Sequence, residues 1–151
     1  MIGEGSLELR VVPYRKATIR PYRPEDERLL FSLARETFGE REAWSDTRTL
    51  TALETDTVFV AELAGDLAGY VAVEAAGEAV RIEQLLVTPL HEGEGVGRQL
   101  LEYAEGFAIS EGAKRLEMLV EDDNTRALDL CRRLGFVSAG GDLYQLTLPQ
   151  P

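Results

Sequence analysis

Residues 85–101 read LLVTPLHEGEGVGRQLL: an apolar run, a proline, a loop with three glycines and the start of an amphipathic segment. The apolar run indicates the end of a buried strand, and Pro89 ends it because proline cannot donate a hydrogen bond to a strand ladder. After Val96 the apolar residues recur at helical spacing, which predicts a helix that continues to about Glu111 and is capped by Gly112. The sequence therefore predicts a strand, a glycine-rich loop and a helix in direct succession.

The glycines of this loop, Gly93, Gly95 and Gly97, suit it to bind phosphate. Glycine lets the backbone approach a ligand closely, and the free N–H groups at a helix start, with the helix dipole behind them, attract anions. A Walker loop is excluded because Gly97 is followed by Arg98 instead of lysine. The dinucleotide fingerprint G-x-G-x-x-G is excluded because Arg98 or Leu100 occupies the position of its third glycine. The loop is therefore expected to hold a pyrophosphate through its main chain, by a different pattern.

The rest of the chain predicts a mixed sheet with helices on both faces. One or two edge strands are expected within 7–23, a helix from Pro24 to about Phe38, and a second helix near 46–53. Strands are then expected at 57–63, 68–74, 78–87 and 115–120, a helix at 124–134, and one or two last strands within 136–148. The order predicts an α/β (α+β) fold in a single domain, 1–151, in which residues 1–16 add an N-terminal strand or arm.

The composition of the chain argues against several classes of partner. A net charge of −11 and the lack of a basic cluster exclude nucleic acid as a partner. An acidic field favours cationic or amine substrates, although solubility alone also produces one. No apolar run approaches the about 20 residues that span a bilayer, so we expect no membrane partner. One histidine and one cysteine argue against a metal site and an internal disulfide, and we expect a cytoplasmic protein without a signal peptide.

A second motif lies near the end of the chain, where residues 124–136 read NTRALDLCRRLGF and include Asn124, the only asparagine. The two motifs together resemble the GCN5-related N-acetyltransferases (GNAT). That family shows L-x-V-x-P, then Q/R-x-x-G-x-G/A before a helix, and later N-x-x-A-x-x-L-Y-x-x-x-G-F. Both motifs in this order and at this spacing form a strong signature, and the resemblance covers the chain from about residue 17.

The resemblance implies the GNAT fold, a mixed sheet of six or seven strands with about four helices on both faces. It also implies acetyl-CoA as cosubstrate, no metal, and direct attack by a primary amine within a ternary complex. The acceptor is then a small-molecule amine or a protein amine, and a homodimer is compatible with the family. The resemblance assigns acetyl-CoA binding to Leu85, Leu86, Val87, Glu92, Gly93, Glu94, Gly95, Val96, Gly97, Arg98, Asn124, Arg126 and Cys131.

The general base is expected to be a carboxylate, because the ammonium form of the acceptor must lose a proton before it attacks. The resemblance makes Glu83 the first candidate, and strand alternation places it on the same face as residues 85 and 87. Glu83 also fits an ion pair with a neighbouring arginine. The alternative bases are Glu36, Glu40 and Glu117. The candidate acceptor contacts are Phe38, Trp44 and Tyr144, of which Trp44 also fits an ordinary core residue.

The phosphate loop departs from the family pattern by its charge. Glu92 replaces the usual Gln or Arg, and Glu94 adds a second acid. A carboxylate about 4 Å from a phosphate costs several kcal/mol at an effective dielectric near 20, unless both acids point to water. Arg98, Arg126 and Arg133 are either cations that neutralise the phosphates or solvated helix residues.

Cys131 occupies the position of the family's tyrosine, which protonates the leaving thiolate. It is either a small buried apolar residue or a replacement acid, since its ordinary pKa of about 8.5 matches that of the CoA thiol. An acyl-cysteine route lacks an adjacent base, because His91 lies on the other motif. These departures leave an alternative function open, a degenerate CoA-binding or protein-interaction module without activity.

Overall fold

The computed structural model describes residues 15–38 and 57–150, with the main chain alone at residues 37 and 38. In these residues seven strands form one sheet, and three α-helices accompany it. The strands are β1 (Thr18–Pro21), β2 (Thr57–Leu63), β3 (Asp66–Ala76), β4 (Ala79–Val87), β5 (Arg115–Leu119), β6 (Val137–Ser138) and β7 (Leu143–Thr147). The helices are α1 (Glu27–Phe38), α2 (Val96–Ser110) and α3 (Thr125–Arg133), and short 3-10 turns cover Pro24–Asp26 and Pro89–His91.

The sheet is mixed, with the strand order β1-β2-β3-β4-β5-β7-β6. Only the β4–β5 pair is parallel among the described strands, and all other pairs are antiparallel. A parallel pair needs a crossover connection, which the helix α2 supplies between β4 and β5. The arrangement confirms the predicted α/β class, and it puts the glycine loop at the carboxyl end of β4.

Apolar clusters cover both faces of the sheet. On one face, Leu30 and Leu33 of α1 pack against Val60, Tyr70 and Leu86. On the other face, α2 and α3 pack against the strand side chains that point away from α1. This cluster includes Val71 and Ile82 of the sheet and Leu100, Leu101, Ala104, Leu128 and Cys131 of the two helices. Burial of these side chains removes apolar surface from water and holds the helices on the sheet.

The corner between β1 and α1 is held by a bidentate ion pair. The Arg20 guanidinium donates to both Asp26 oxygens at 2.8 and 2.9 Å, and the main-chain N–H of Arg23 donates to Asp26 Oδ2 at 2.8 Å. The hydrogen bond from Arg20 is the main cause of a lowered pKa at Asp26. Because Pro24 and the acidic first turn start the helix here, the entry of α1 follows the sequence prediction.

Two predicted segments lie outside the described residues, the helix near 46–53 and most of the N-terminal arm at 1–16. The other elements have the predicted order, and β1 lies at one edge of the sheet that the described strands form. No helix in the two described segments is long and apolar enough to cross a membrane.

Candidate active site

A gap opens in the sheet between β4 and β5. Their parallel pairing ends at Ile82 opposite Met118, whereas β4 continues to Val87 with β3 as its partner. Residues 85–87 therefore present one edge of their main chain that carries no strand within the described part of the chain. Such an edge offers N–H and C=O groups to an extended ligand in the way that a missing strand would.

Glu83 lies in a β-bulge at the start of this gap. Val73 pairs with Ile82 and Ala72 pairs with Gln84, so Glu83 is the extra residue of β4. Gln84, next to it, is buried and accepts a 2.6 Å hydrogen bond from the Tyr70 hydroxyl. The bulge adds its extra residue between Ile82 and Gln84, and burial still alternates beyond it, with residues 83, 85 and 87 half-buried and residues 84 and 86 buried.

The half-buried Glu83 side chain has no hydrogen bond or ion pair within residues 15–38 and 57–150. The arginine pair considered for Glu83 from the sequence is therefore not formed there. Its carboxylate lies at the start of the gap and is engaged by no side chain of the described residues. This combination of position and availability distinguishes it from the other carboxylates of the sheet.

Glu117, an alternative base, is instead engaged by its neighbours. Arg81 donates to Oε1 at 3.1 Å, Gln145 donates to Oε2 at 2.8 Å, and Arg115 lies 3.6 Å from Oε2. Burial alone would raise the pKa of Glu117, but the hydrogen bonds from Gln145 and Arg81 outweigh it and lower that pKa. A carboxylate held in this way is a structural ion-pair partner. Glu36 is exposed on α1, and Glu40 lies outside the described residues.

The glycine loop turns its main chain through two left-handed residues. Gly93 has φ 79° and Gly95, the N-cap of α2, has φ 88°, conformations that favour glycine. The main-chain N–H groups of residues 93–98 have no acceptor within the described residues. Because α2 begins at Val96, its dipole adds to these free donors. The loop therefore has the form of an anion site at the mouth of the gap.

The two acidic residues of the loop are both engaged. Glu92 Oε1 lies 2.7 Å from Arg126 Nη1 on α3. Glu94 accepts from His91 Nδ1 at 2.8 Å, and its second oxygen lies 3.9 Å from Arg15 Nη1. Each acid is thus turned to a partner within the protein, Glu92 to Arg126 and Glu94 to His91 and Arg15.

The candidate phosphate cations are also paired. Arg126 is shared with Glu92, Arg98 bonds Glu102 at 3.2 Å, and Arg133 bonds Asp129 at 3.1 Å. All three are exposed helix residues, where an ion pair contributes little and exchanges readily with solvent. Of the three, Arg126 is the one that the structure links to the glycine loop.

The asparagine motif forms the start of α3. The Asn124 side chain accepts a 3.2 Å hydrogen bond from the N–H of Ala127, so it caps the helix. A Cβ added at Gly97 would lie 3.4 Å from Leu130 Cδ2 and 3.5 Å from Val87 Cγ2. Close packing at Gly97 therefore brings together α2, α3 and the end of β4, which lie at the two motifs.

Cys131 is completely buried, and its Sγ lies 3.3 Å from Met118 Sδ. Burial raises the pKa of the Cys131 thiol to about 11, with a smaller opposing effect from Arg132. Both features favour the packing alternative over the role of a proton donor. Tyr144, a candidate acceptor contact, is also mostly buried and belongs to the same apolar cluster.

Two further residues, Phe38 and Trp44, are candidate acceptor contacts. The side chain of Phe38 and the whole of Trp44 lie outside the described residues. No group of three or more side chains suited to hold a metal ion occurs in residues 15–38 and 57–150.

One residue that the sequence interpretation missed is Gln99, which is buried at the first turn of α2 and bonds the main chain of residues 15–17. A polar residue on the apolar stripe of the predicted helix was the available signal.

Comparison with known proteins identifies the family and the fold of this chain. A model of the acetyltransferase (GNAT) family matches residues 25–136. Streptothricin acetyltransferase of Streptomyces lavendulae is 39% identical over 107 residues, which cover 68% of this chain and 52% of that protein. Mycothiol acetyltransferase of Jonesia denitrificans is 43% identical over 63 residues, 42% of this chain and 20% of that protein. The chain thus spans about half or less of the length of these curated relatives.

Solved structures share the fold. The ribosomal-protein-S18-alanine N-acetyltransferase from Escherichia coli has a TM-score of 0.78 at 20% identity, covering 90% of this chain and 96% of that one. An N-acetyltransferase from Thermoplasma acidophilum in complex with coenzyme A has a TM-score of 0.74 at 19% identity, covering 86% and 97%. By the family match over residues 25–136, the chain belongs to the acetyltransferase (GNAT) family.

Proposed function

We propose that this chain is an N-acetyltransferase that binds acetyl-CoA at the glycine loop and transfers the acetyl group to a primary amine. The observation that carries the proposal is the run of main-chain N–H groups at residues 93–98, which have no acceptor among the described residues and lie beside the gap between β4 and β5. A diphosphate needs several converging donors, and an extended pantetheine arm needs an open strand edge. Family membership supports the same conclusion.

Acetyl-CoA would supply the acetyl group as an activated thioester. The amides of residues 93–98, with the α2 dipole behind them, would hold its diphosphate. The free edge of residues 85–87 would bind the pantetheine arm and polarise the thioester oxygen. Both amine and thioester would be present together, so that the amine attacks directly.

Glu83 would be the general base. It is half-buried, lies at the start of the gap, and has no partner in the described segments. It would take the proton of the ammonium, directly or through one water, before attack. Glu117 is tied into its arginine and glutamine contacts, which leaves Glu83 the better-placed carboxylate.

Cys131 would act by packing, and Cys131→Ala tests this. We expect unchanged kcat and an unchanged pH–rate profile, because a CoA thiolate is a tolerable leaving group near neutral pH and needs no protein acid. Stability should fall by about 1–2 kcal/mol from the lost contacts with Met118 and the cavity left behind. Steady-state kinetics and thermal denaturation measure the two effects; loss of kcat in a folded variant would restore the role of acid or nucleophile.

The Glu92–Arg126 pair would moderate acetyl-CoA affinity, and Glu92→Gln tests this. Removal of the carboxylate frees Arg126 to face the phosphates, so we expect KM for acetyl-CoA to fall about 2- to 5-fold, less at high salt. Arg126→Ala is the matched variant and should raise that KM. A rise of KM in Glu92→Gln would mean that Glu92 itself supports the loop.

The acceptor would be a small cationic amine. Streptothricin acetyltransferase and the thialysine N-epsilon-acetyltransferase of Bos taurus are relatives whose names specify small amine substrates. The net charge of −11 attracts a cationic acceptor. A protein N-terminus is the competing acceptor class. The unpaired thiol of Cys131 fits a reducing compartment, which favours a cytoplasmic location.

Two measurements test the function. Acetyl-CoA should raise the melting temperature of the protein, because a ligand that binds only the folded state stabilises it. Release of free CoA thiol should then depend on an amine from a panel of streptothricin, thialysine and an alanine-terminated peptide. If acetyl-CoA stabilises the protein but no amine is acetylated, the chain is a CoA-binding module without activity. If acetyl-CoA neither stabilises the protein nor is consumed, both functions are excluded.

A further inference from the structure

The side chain of Gln99 connects the start of α2 with the segment before β1. It is 8% exposed, and both ends of its amide are engaged. Its Oε1 accepts the N–H of Ala17 at 2.9 Å, and its Nε2 donates to the carbonyls of Arg15 at 2.8 Å and Gly95 at 3.1 Å. The Gln99 amide thus pairs with this segment as a neighbouring strand would.

A main-chain contact completes the connection. The N–H of Arg15 donates to the carbonyl of Glu94 at 3.0 Å. Two consecutive carbonyls of the glycine loop are therefore held. The carbonyl of Glu94 is held by Arg15, and that of Gly95 is held by Gln99, whose main-chain N–H also donates to it at 3.1 Å. We refer to Gln99 with the main-chain groups of Arg15 and Ala17 as the N-terminal clamp.

Peptide geometry gives these contacts a consequence for the loop. In a trans peptide the C=O of one residue and the N–H of the next lie in one plane and point in opposite directions, and the described residues contain no cis peptide bond. Fixing the carbonyl of Glu94 therefore fixes the N–H of Gly95 away from the clamp. Fixing the carbonyl of Gly95 does the same for the N–H of Val96.

These two N–H groups are among the loop donors without an acceptor in the described residues. The glycines that allow the turn also make it flexible, since Gly93 and Gly95 have positive φ and no side chain to restrict them. A flexible loop loses affinity because binding must order it, and an external contact that orders it beforehand lowers that cost.

We propose that the N-terminal clamp is a positioning device that holds the glycine loop with its Gly95 and Val96 amides turned toward the diphosphate. Gln99 is then a positioning residue for acetyl-CoA binding, and the main-chain groups of Arg15 and Ala17 belong to the cosubstrate site although they touch neither reacting group. The ligand identity rests on the proposed function, whereas the effect of the clamp on the loop does not require a ligand.

Gln99→Leu tests the side-chain contacts of the clamp. We expect KM and Kd for acetyl-CoA to rise about 5- to 20-fold, as for the loss of two or three hydrogen bonds that order a loop. The KM for the amine and kcat should stay unchanged. If Gln99 had a structural role alone, Gln99→Leu would lower the melting temperature, but KM for acetyl-CoA would not rise while kcat stays unchanged.

Arg15→Pro is a second variant at an exposed position, in case Gln99→Leu does not fold. Proline removes the N–H that bonds Glu94, and we expect a rise of about 3- to 5-fold in Kd for acetyl-CoA. Lys16→Pro is the matched control, because the N–H of Lys16 has no acceptor in the described segments. Equal effects of the two prolines on Kd would overturn the proposal.

NMR relaxation separates this proposal from the proposed function. In the ligand-free protein, the N–H bonds of Gly95 and Val96 should have lower order parameters in Gln99→Leu and Arg15→Pro than in the wild type and Lys16→Pro. If the wild type binds no acetyl-CoA, the proposed function fails, and the order parameters alone decide whether the clamp orders the loop. Unchanged order parameters at these two amides in both clamp variants would refute the clamp.

Discussion

Replacing Glu83 with glutamine is expected to lower kcat by about 10²- to 10³-fold, the usual contribution of a positioned general base. Glutamine keeps the size of the side chain and its place in the bulge of β4, but it cannot accept the proton of the ammonium. The variant should recover part of its rate at high pH, where the amine loses its proton to solvent. Acetyl-CoA affinity should be unchanged, because Glu83 lies on the strand and the phosphate loop begins after it.

Two other carboxylates serve as controls for Glu83. Glu36→Gln, at an exposed position of α1, should keep both kcat and the pH–rate profile. Glu117→Gln should lower the melting temperature, since Arg81 and Gln145 lose their buried charged partner, but the shape of the pH–rate profile should remain. If Glu117→Gln or Glu36→Gln removes the rate while Glu83→Gln keeps it, Glu83 is not the base.

Gly95→Val is expected to weaken acetyl-CoA binding about 30- to 100-fold, with little effect on the fold. Gly95 has φ 88°, and a β-branched residue in this region is strained by about 2–3 kcal/mol. The exposed loop can relax into another conformation to relieve the strain. Binding must then restore the turn that aligns the amides of residues 93–98, and the strain appears as lost affinity, measured by calorimetric titration.

Gly65→Val is the matched control for Gly95→Val. Gly65 has nearly the same φ, 86°, in the turn between β2 and β3, and a Cβ there meets nothing within 4 Å. It should therefore carry the same backbone strain with no effect on acetyl-CoA affinity. Equal acetyl-CoA affinities of Gly95→Val and Gly65→Val would mean that the glycine loop is not part of the acetyl-CoA site.

The motifs made most of the fold predictable. Pro89 and the apolar run before it indicated the end of β4, and Gly112 and Gly135 marked the ends of α2 and α3. These signals are local, because turn, cap and strand-end residues act within a few positions of themselves. The gap between β4 and β5 had no such signal, since pairing between strands distant in sequence leaves no local pattern.

The side-chain contacts of the site were much less predictable. The sequence placed Glu92 and Glu94 in the loop but could not show that Arg126 and His91 pair with them, because those pairs depend on how α3 and the loop pack. The bulge at Glu83 depends on register with β3. The sequence left Cys131 between two roles, and its burial against Met118 favours packing.

The most direct test of the account is to follow the amide resonances of residues 93–98 by NMR while CoA is added. We predict that these amides shift together, become protected from exchange and saturate at one equivalent, while the amide of Gly77, in the turn at the opposite end of β3 and β4, stays unchanged. CoA that binds with no response at these residues, or does not bind at all, would contradict a site built from the main chain of the glycine loop.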